Sequence, residues 1–156
     1  MWHFRRWHGN VIDHAQARID YLVKTLESLK STIVIPTPVL SELLVGVGPQ
    51  ETQSILDEIR KARVFRVEPF ETRAAIEVAL MTRNAKSGGD KKGGLDAPWA
   101  KVKFDRQIVA IAKVVQASAI YTDDGDIVSI ARNVSTILRQ SCLVFRLGRL
   151  AVGSVD

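Results

Sequence analysis

Cysteine is almost missing from this chain, which contains one, Cys142, in 156 residues. One cysteine can form neither a disulfide within the chain nor the ligand set of a zinc ribbon. Long apolar runs are missing too, since none approaches the ~18–20 residues that cross a bilayer. The N-terminal segment MWHFRRWHGN contains no apolar stretch of the ~7–15 residues found in a secretory signal. We therefore expect a cytoplasmic protein that does not enter a membrane.

Histidine is also scarce, and all three histidines occur within the first 14 residues. This placement leaves no Ser/His/Asp or Cys/His catalytic set in the body of the chain. His3 and His8 could bind a metal ion, but two histidines in a chain terminus are more often incidental. Catalysis by this chain would therefore depend on other side chains.

Basic residues outnumber acidic ones, by 22 to 17, which gives a formal charge of +5. Residues 83–113 hold eight basic and three acidic side chains, so this stretch alone equals the net charge. A second basic group follows near the C-terminus: Arg132, Arg139, Arg146 and Arg149. Such clustering favours a polyanionic partner, nucleic acid above all, although a solvated basic face would have the same composition.

The apolar pattern predicts alternating helices and strands. Helices are expected at 13–30, 37–45, 51–62, 70–83, 103–116 and 126–133, and strands at 31–36, 64–67, 119–122 and 143–145. Thr37 followed by Pro38 indicates a helix N-cap with proline at the first helical position. This alternation predicts an α/β fold with a mostly parallel central sheet flanked by helices.

The organisation along the chain predicts a single domain spanning 1–156, because no internal repeat or second domain is visible. Residues 86–100 contain GGDKKGG and then a proline, which breaks all periodicity and indicates a mobile basic loop. Residues 1–10 match no regular element and form an atypical N-terminus.

Four carboxylates occupy unusual positions in this pattern. Glu42 lies within the apolar segment PVLSELLVG, and Asp105 opens the predicted helix FDRQIVAIA. Asp124 and Asp126 directly follow the strand AIYT, where ligands of parallel sheets bind. Converging carboxylates repel unless a cation neutralises them, and hard divalent cations prefer oxygen ligands. The set therefore indicates a divalent metal site.

Each of these acids also has an ordinary structural explanation. Asp105 could favour the positive end of its helix dipole, and TDDGD could be only a turn after a strand. Glu42 is harder to explain in this way, because a glutamate among apolar residues usually needs a partner. The hypothesis of a metal site therefore rests on the set rather than on one position.

The segments VIPTPVLSELLVG and FDRQIVAIAKVVQASAIYTDDGDI resemble the second, third and fourth acidic motifs of PIN domains, and most closely those of VapC-type toxins of bacterial toxin–antitoxin pairs. In that family a strand leads to a helix with a glutamate, which Glu42 matches. A later helix begins with an aspartate, which Asp105 matches, and a strand ends in the pattern Thr122-Asp123-Asp124 with a further acid at Asp126. The resemblance covers about residues 13–145 and implies a three-layer PIN-like fold.

The chain departs from the family pattern at its N-terminus. PIN domains begin with a hydrophobic strand that ends in an aspartate, followed by a small residue and asparagine. MWHFRRWHGN contains neither that strand nor an acid, and Asp13 fits a helix cap. We interpret the chain as lacking the first strand and first aspartate of the family, with a start that lies downstream of, or out of frame with, the true one. This departure predicts impaired activity.

The resemblance implies a metal-dependent endoribonuclease that hydrolyses phosphodiesters of single-stranded RNA with Mg²⁺ or Mn²⁺. Glu42, Asp105 and Asp124 would be catalytic metal ligands, with Asp126 as an auxiliary ligand. The residues implied to hold the RNA backbone are Lys91, Lys92, Lys101, Lys103 and Arg106. Thr122 could steady the site by a hydrogen bond. The implied partners are RNA, a small antitoxin protein and a second copy of the chain in a homodimer.

Two other function classes stay open at this point. The first is a catalytically inactive PIN-fold protein that binds nucleic acid or an antitoxin. The second is a phosphohydrolase or phosphoacceptor domain, suggested by Asp124-Gly125-Asp126 after a strand, although Val128 stands where a threonine is expected. A P-loop is disfavoured, because GGDKKGG lacks the glycine-lysine-serine/threonine ending of that motif. An EF-hand is disfavoured, because the positions after Asp124-Gly125-Asp126 supply neither the further acids nor the terminal glutamate of a calcium-binding loop.

Overall fold

A computed structural model describes residues 15–122, 124–134 and 142–145. These residues form six helices: α1 (Ala15–Ser28), α2 (Thr37–Val45), α3 (Pro49–Lys61), α4 (Thr72–Ser87), α5 (Trp99–Val114) and α6 (Gly125–Asn133). They also form four strands: β1 (Thr32–Pro36), β2 (Phe65–Glu68), β3 (Ala119–Tyr121) and β4 (Cys142–Phe145). The predicted α/β fold is confirmed, and within the described ranges no helix is long and apolar enough to cross a membrane.

The four strands form one sheet in the order β2-β1-β4-β3, and all pairings between the described strands are parallel. Val34 of β1 pairs with Arg66 of β2 on one side and with Val144 of β4 on the other. Ile33 and Val34 are fully buried, as a central strand covered on both faces requires. This explains why β1 reads as a continuous apolar run rather than an alternating one.

The order of the strands places two loops at the same edge of the sheet. β1 and β3 both pair with β4 in parallel, so their carboxyl ends point the same way. With about 4.8 Å between neighbouring strands, these ends are about 10 Å apart. The segment after β1 opens α2, which carries Glu42, and the segment after β3 opens α6, which carries Asp126.

Helix α5 is the central helix of the core. It contacts α4, α6, α2 and β1. Ile108 and Ala110 are fully buried, and Val109, Ile111 and Ala112 are nearly so. A helix that is apolar on most of its surface is expected to be enclosed by other elements. The same helix therefore supplies both the core and the buried carboxylate of Asp105.

Helix boundaries differ from the sequence prediction, by four residues at the start of α5 and at the end of α4 and by one or two residues at several other ends. Helix α5 begins at Trp99 rather than at residue 103, with Pro98 as its N-cap. Helix α4 continues to Ser87, beyond the predicted end at residue 83. Thr37 is the first helical residue of α2 rather than its N-cap, which is Pro36. The Thr37 hydroxyl instead accepts a hydrogen bond from the Phe70 amide, 3.1 Å away.

The segment between α4 and α5, predicted as a mobile loop, is organised around Asp90. Its carboxylate accepts hydrogen bonds from the amides of Lys92 and Gly94, each at 2.9 Å. These two bonds lower the pKa of Asp90, because they favour the charged form of the carboxyl group. Gly93 and Gly94 adopt positive φ angles of 70° and 81°, which glycine tolerates without steric cost. The loop therefore has a defined turn at its basic end.

Candidate metal centre

Three carboxylates meet beside the end of β3. Asp105, Asp124 and Asp126 each offer an oxygen atom, and these oxygens all lie within 4.8 Å of one another. The structure thus brings together three of the four acids that the sequence analysis selected. Carboxylates this close repel one another unless a positive group lies among them.

Asp105 is the most deeply placed member of the group, since its side chain is fully buried. It lies six residues after Trp99, well inside α5 and beyond the first turn, where a helix dipole stabilises an acid. The prediction that Asp105 opens its helix is therefore wrong, and the dipole explanation loses its basis. A buried carboxylate needs a charged or hydrogen-bonding partner, and the partner lies on the same helix.

Asp124 and Asp126 are held by local hydrogen bonds at the start of α6. Asp124 is the N-cap, and its Oδ1 accepts a hydrogen bond from the Asp126 amide at 2.8 Å. The Asp124 amide in turn donates to the hydroxyl of Thr122 at 3.1 Å, so Thr122 makes a hydrogen bond of the kind predicted, while its role in the site stays a prediction. Such N-cap geometry is typical of aspartate and fixes both acids at the carboxyl end of β3.

Lys101 supplies the positive charge at this centre. Its Nζ lies 2.7 Å from Oδ2 of Asp105, 3.1 Å from Oδ2 of Asp124 and 2.5 Å from Oδ2 of Asp126. Burial by itself would lower the pKa of Lys101, but the hydrogen bonds to the three carboxylates together raise it. The ammonium therefore stays charged and contacts every member of the group.

The sequence analysis missed this role of Lys101, which it assigned to RNA backbone binding. A signal is present in the sequence, because Lys101 and Asp105 are four residues apart and side chains at that spacing on a helix face each other. The predicted helix begins at residue 103, however, so Lys101 lies outside it and the spacing does not predict this contact.

The donor set fits a hard divalent cation. All three ligand candidates are carboxylates, whose oxygens Mg²⁺ and Mn²⁺ prefer, and no softer sulfur or imidazole donor belongs to the group. The Lys101 ammonium is a stand-in cation, and its contacts show that one positive charge can lie within reach of all three side chains. Asp105, Asp124 and Asp126 would hold such an ion.

Glu42 is placed differently from the other three acids. It lies in the second half of α2, is half-buried, and is not a member of the group of close carboxylates. Its helix follows β1, whose carboxyl end is on the same edge of the sheet as the end of β3. Its role as a metal ligand stays a prediction.

The basic residues predicted to bind RNA do not form one group around the carboxylates. Lys91, Lys103 and Arg106 surround the ring of Trp99, at 5.1, 6.0 and 5.5 Å from its centroid. A helix turns about 100° per residue. Trp99 and Lys103 are each two residues from Lys101, so their side chains point about 200° around the helix axis from that of Lys101. Trp99 and Lys103 therefore lie on the other side of α5 from Lys101.

Arg106 and Lys92 line a cavity of about 450 Å³ between α4, α5 and α6. Arg106 is only 3% exposed, and its Nη1 donates to the Thr82 hydroxyl at 3.0 Å. Lys92 donates to the carbonyl of Ala97 at 3.2 Å. The structure thus gives both side chains contacts within the fold.

Other sequence predictions concern residues outside the described ranges. They are the absence of a first strand, the atypical segment 1–10, the histidine pair His3 and His8, and Arg139, Arg146 and Arg149. The prediction of a single domain across 1–156 likewise stays a prediction.

Comparison with known proteins supports the acidic-motif resemblance. The family model described as PIN domain matches residues 11–133, a range that includes Glu42, Asp105, Asp124 and Asp126. No curated protein and no solved structure matches the chain.

Proposed function

The chain belongs to the PIN domain family, and from this premise we propose that it is a metal-dependent endoribonuclease of the VapC toxin type that cleaves single-stranded RNA. PIN domains are generally metal-dependent nucleases, which supports this reaction class. The RNA substrate and the toxin–antitoxin role rest on the resemblance of the acidic motifs to VapC-type toxins.

The observation that carries the proposal is the convergence of Asp105, Asp124 and Asp126 within 4.8 Å. The three residues come from two elements separated in sequence, α5 and the start of α6, which contact each other in the fold. An ordinary turn or a helix cap would explain Asp124 and Asp126 but not the buried Asp105 beside them. A shared cation explains all three.

The mechanism assigns a task to each residue at the centre. When bound, a divalent ion activates a water molecule and stabilises the charge that develops on the scissile phosphate. Asp105 would hold the ion from a rigid position, because α5 is packed into the core. Asp124 and Asp126 would hold it from the start of α6, where the Thr122 hydroxyl accepts a hydrogen bond from the Asp124 amide. Glu42 is proposed as a further ligand, acting directly or through water.

Removal of divalent cations tests the proposal. We expect slow cleavage of labelled single-stranded RNA with Mg²⁺ or Mn²⁺, complete loss of cleavage with EDTA, and recovery when the metal is added back in excess. Duplex RNA and single-stranded DNA of the same sequence serve as comparison substrates. Cleavage that persists in EDTA would contradict a metal-dependent mechanism.

Slow cleavage is expected because the segment before α1 supplies no match to the first acidic motif of the family. The alternative is a catalytically inactive PIN-fold protein that binds nucleic acid or an antitoxin. The same assay separates the two, since RNA binding without cleavage at saturating metal would favour the inactive form.

Lys91 and Lys103 beside Trp99 form the proposed backbone contact for RNA. Both lysines are exposed, and an indole ring next to basic side chains suits single-stranded nucleic acid, which stacks on aromatic rings. We infer that RNA contacts this face of α5.

Loss of both lysines should weaken RNA binding. In the double variant Lys91→Gln, Lys103→Gln we expect the affinity for RNA to fall. We expect the magnitude of the slope of log affinity against log salt to decrease by roughly 1–2, because the variant contacts fewer phosphates and its binding releases fewer counterions. Fluorescence anisotropy at several salt concentrations measures both. The matched control is Lys24→Gln, Lys61→Gln, which removes two exposed lysines from α1 and α3. Equal weakening in the control would show a net-charge effect only.

The partners are proposed on the same basis. A small antitoxin would inhibit the enzyme by placing a lysine or arginine among the carboxylates, and Lys101 illustrates that an ammonium fits there. A homodimer is implied by the VapC resemblance, and the mass of the protein in solution tests it.

A further inference from the structure

We propose that Lys101 is a built-in counter-cation that competes with the divalent ion, so that metal binds only when the Lys101 side chain leaves the three carboxylates. This inference rests on the proposed function, since it concerns the same centre. It differs from the role predicted from sequence, in which Lys101 contacts the RNA backbone.

The contacts place the ammonium where a metal ion would have to be. Nζ of Lys101 reaches Asp105, Asp124 and Asp126 at 2.7, 3.1 and 2.5 Å, and the three carboxylate oxygens lie within 4.8 Å of one another. A ligand to Mg²⁺ lies at about 2.1 Å from the ion, and all ligands must surround the same point. Two cations cannot share this space, so one excludes the other.

The side chain of Lys101 is able to leave, whereas the carboxylate of Asp105 is not. Lys101 lies in the first turn of α5 and its side chain is 33% exposed, while Asp105 is fully buried one turn later. Lysine has a flexible four-carbon stem and three rotatable donors, so its head group can move into solvent without a change in the backbone. The centre can therefore exchange the ammonium for a metal ion with its acids in place.

Charge balance explains why the chain would carry such a residue. Without any cation, three carboxylates at this separation would repel, and one of them is buried. Lys101 compensates part of that charge when no metal is bound, which keeps α5 and the start of α6 together. The consequence is a lower apparent affinity for metal, because each binding event must displace the lysine.

Metal affinity of a Lys101 variant tests the proposal. We expect the full chain with Lys101→Met to bind Mn²⁺ at least tenfold more tightly than the unmodified chain, as measured by isothermal titration calorimetry. Methionine keeps an unbranched chain but removes the charge and the donors. The control is Lys61→Met, which removes the same charge at an exposed position at the end of α3, and which should change affinity less than threefold.

A second measurement uses the unmodified chain and does not depend on how the variant folds. Acylation of individual lysines by an amine-reactive reagent is followed by mass spectrometry with and without saturating Mn²⁺. We expect the modification rate of Lys101 to rise at least threefold with Mn²⁺, because the freed ammonium enters solvent, and the rate of Lys103 to stay the same.

The outcomes separate this inference from the proposed function. If Mn²⁺ binds to the unmodified chain and to Lys101→Met with equal affinity, or if the reactivity of Lys101 is insensitive to Mn²⁺, the competition is overturned while the metal centre stands. If neither protein binds Mn²⁺ at millimolar concentration, both the metal centre and the competition are overturned.

Discussion

Asparagine in place of Asp105 is expected to reduce metal-dependent RNA cleavage by about a hundredfold or more, to the background of the assay. The change removes one full negative charge and one oxygen ligand from a set of three close carboxylates. It also leaves the Lys101 ammonium with two acids instead of three. The ion would then bind more weakly and in a displaced position, and a displacement of about 1 Å can itself cost about a hundredfold in rate.

The measurement is single-turnover cleavage of labelled RNA with enzyme in excess, which detects the slow reaction expected of this chain. The matched control is Asp96→Asn, which makes the same chemical change at an exposed position before α5 and should leave the rate within twofold. Circular dichroism establishes that both variants are folded. Unchanged cleavage by folded Asp105→Asn protein would remove Asp105 from the catalytic centre and leave the reaction without its buried acid.

Much of the fold could be predicted from the sequence, because its elements have strong local signals. The run TIVIP is short, β-branched and ended by proline, and it forms the central strand β1. The apolar spacing around Ile108 and Ile111 predicts the core helix, and both residues are buried. The alternation of strands with helices predicts the parallel sheet, because a helix between two strands returns the chain to the starting edge, so that both strands run in the same direction.

Helix ends were less predictable, for a physical reason. The first turn of α5 contains the partly exposed Trp99 and Lys101 and one buried residue, Val102, and a single buried residue does not establish an apolar periodicity. The helical start there is set by the dihedral angles of Pro98, which a pattern of apolar residues does not report. The same error hid the pairing of Lys101 with Asp105.

The site was predictable where it depends on strand ends and unpredictable where it depends on tertiary contact. Asp124 and Asp126 follow β3 directly, and ligands of parallel sheets generally bind outside the carboxyl ends of the strands. That Asp105 approaches them depends on how α5 packs against α6, which no local pattern contains. Glu42 satisfied the sequence criteria as well as Asp105 did, yet it does not belong to the group of close carboxylates.

Alanine in place of Ile108 is expected to lower the free energy of unfolding by about 2–5 kcal/mol, the usual range for truncation of a fully buried isoleucine. Ile108 is 0% exposed and belongs to the main apolar cluster together with Val34, Met81 and Ile127. Deleting its outer carbons removes contacts with the sheet and with the helices that flank α5, and it leaves a cavity that these elements can fill only in part.

Urea unfolding followed by circular dichroism measures this change, and two further variants calibrate it. Ile108→Val should cost about 0.5–1.5 kcal/mol, and Ile76→Ala should change stability by less than about 0.5 kcal/mol, because Ile76 is 55% exposed on α4. Ile108 lies one turn after Asp105 on α5, so a loosened helix should also weaken Mn²⁺ binding in the Ile108→Ala protein while it is still folded. Equal stability of the Ile108→Ala and Ile76→Ala proteins would show that α5 is not the central helix of the core, and the buried position of Asp105 would lose its support.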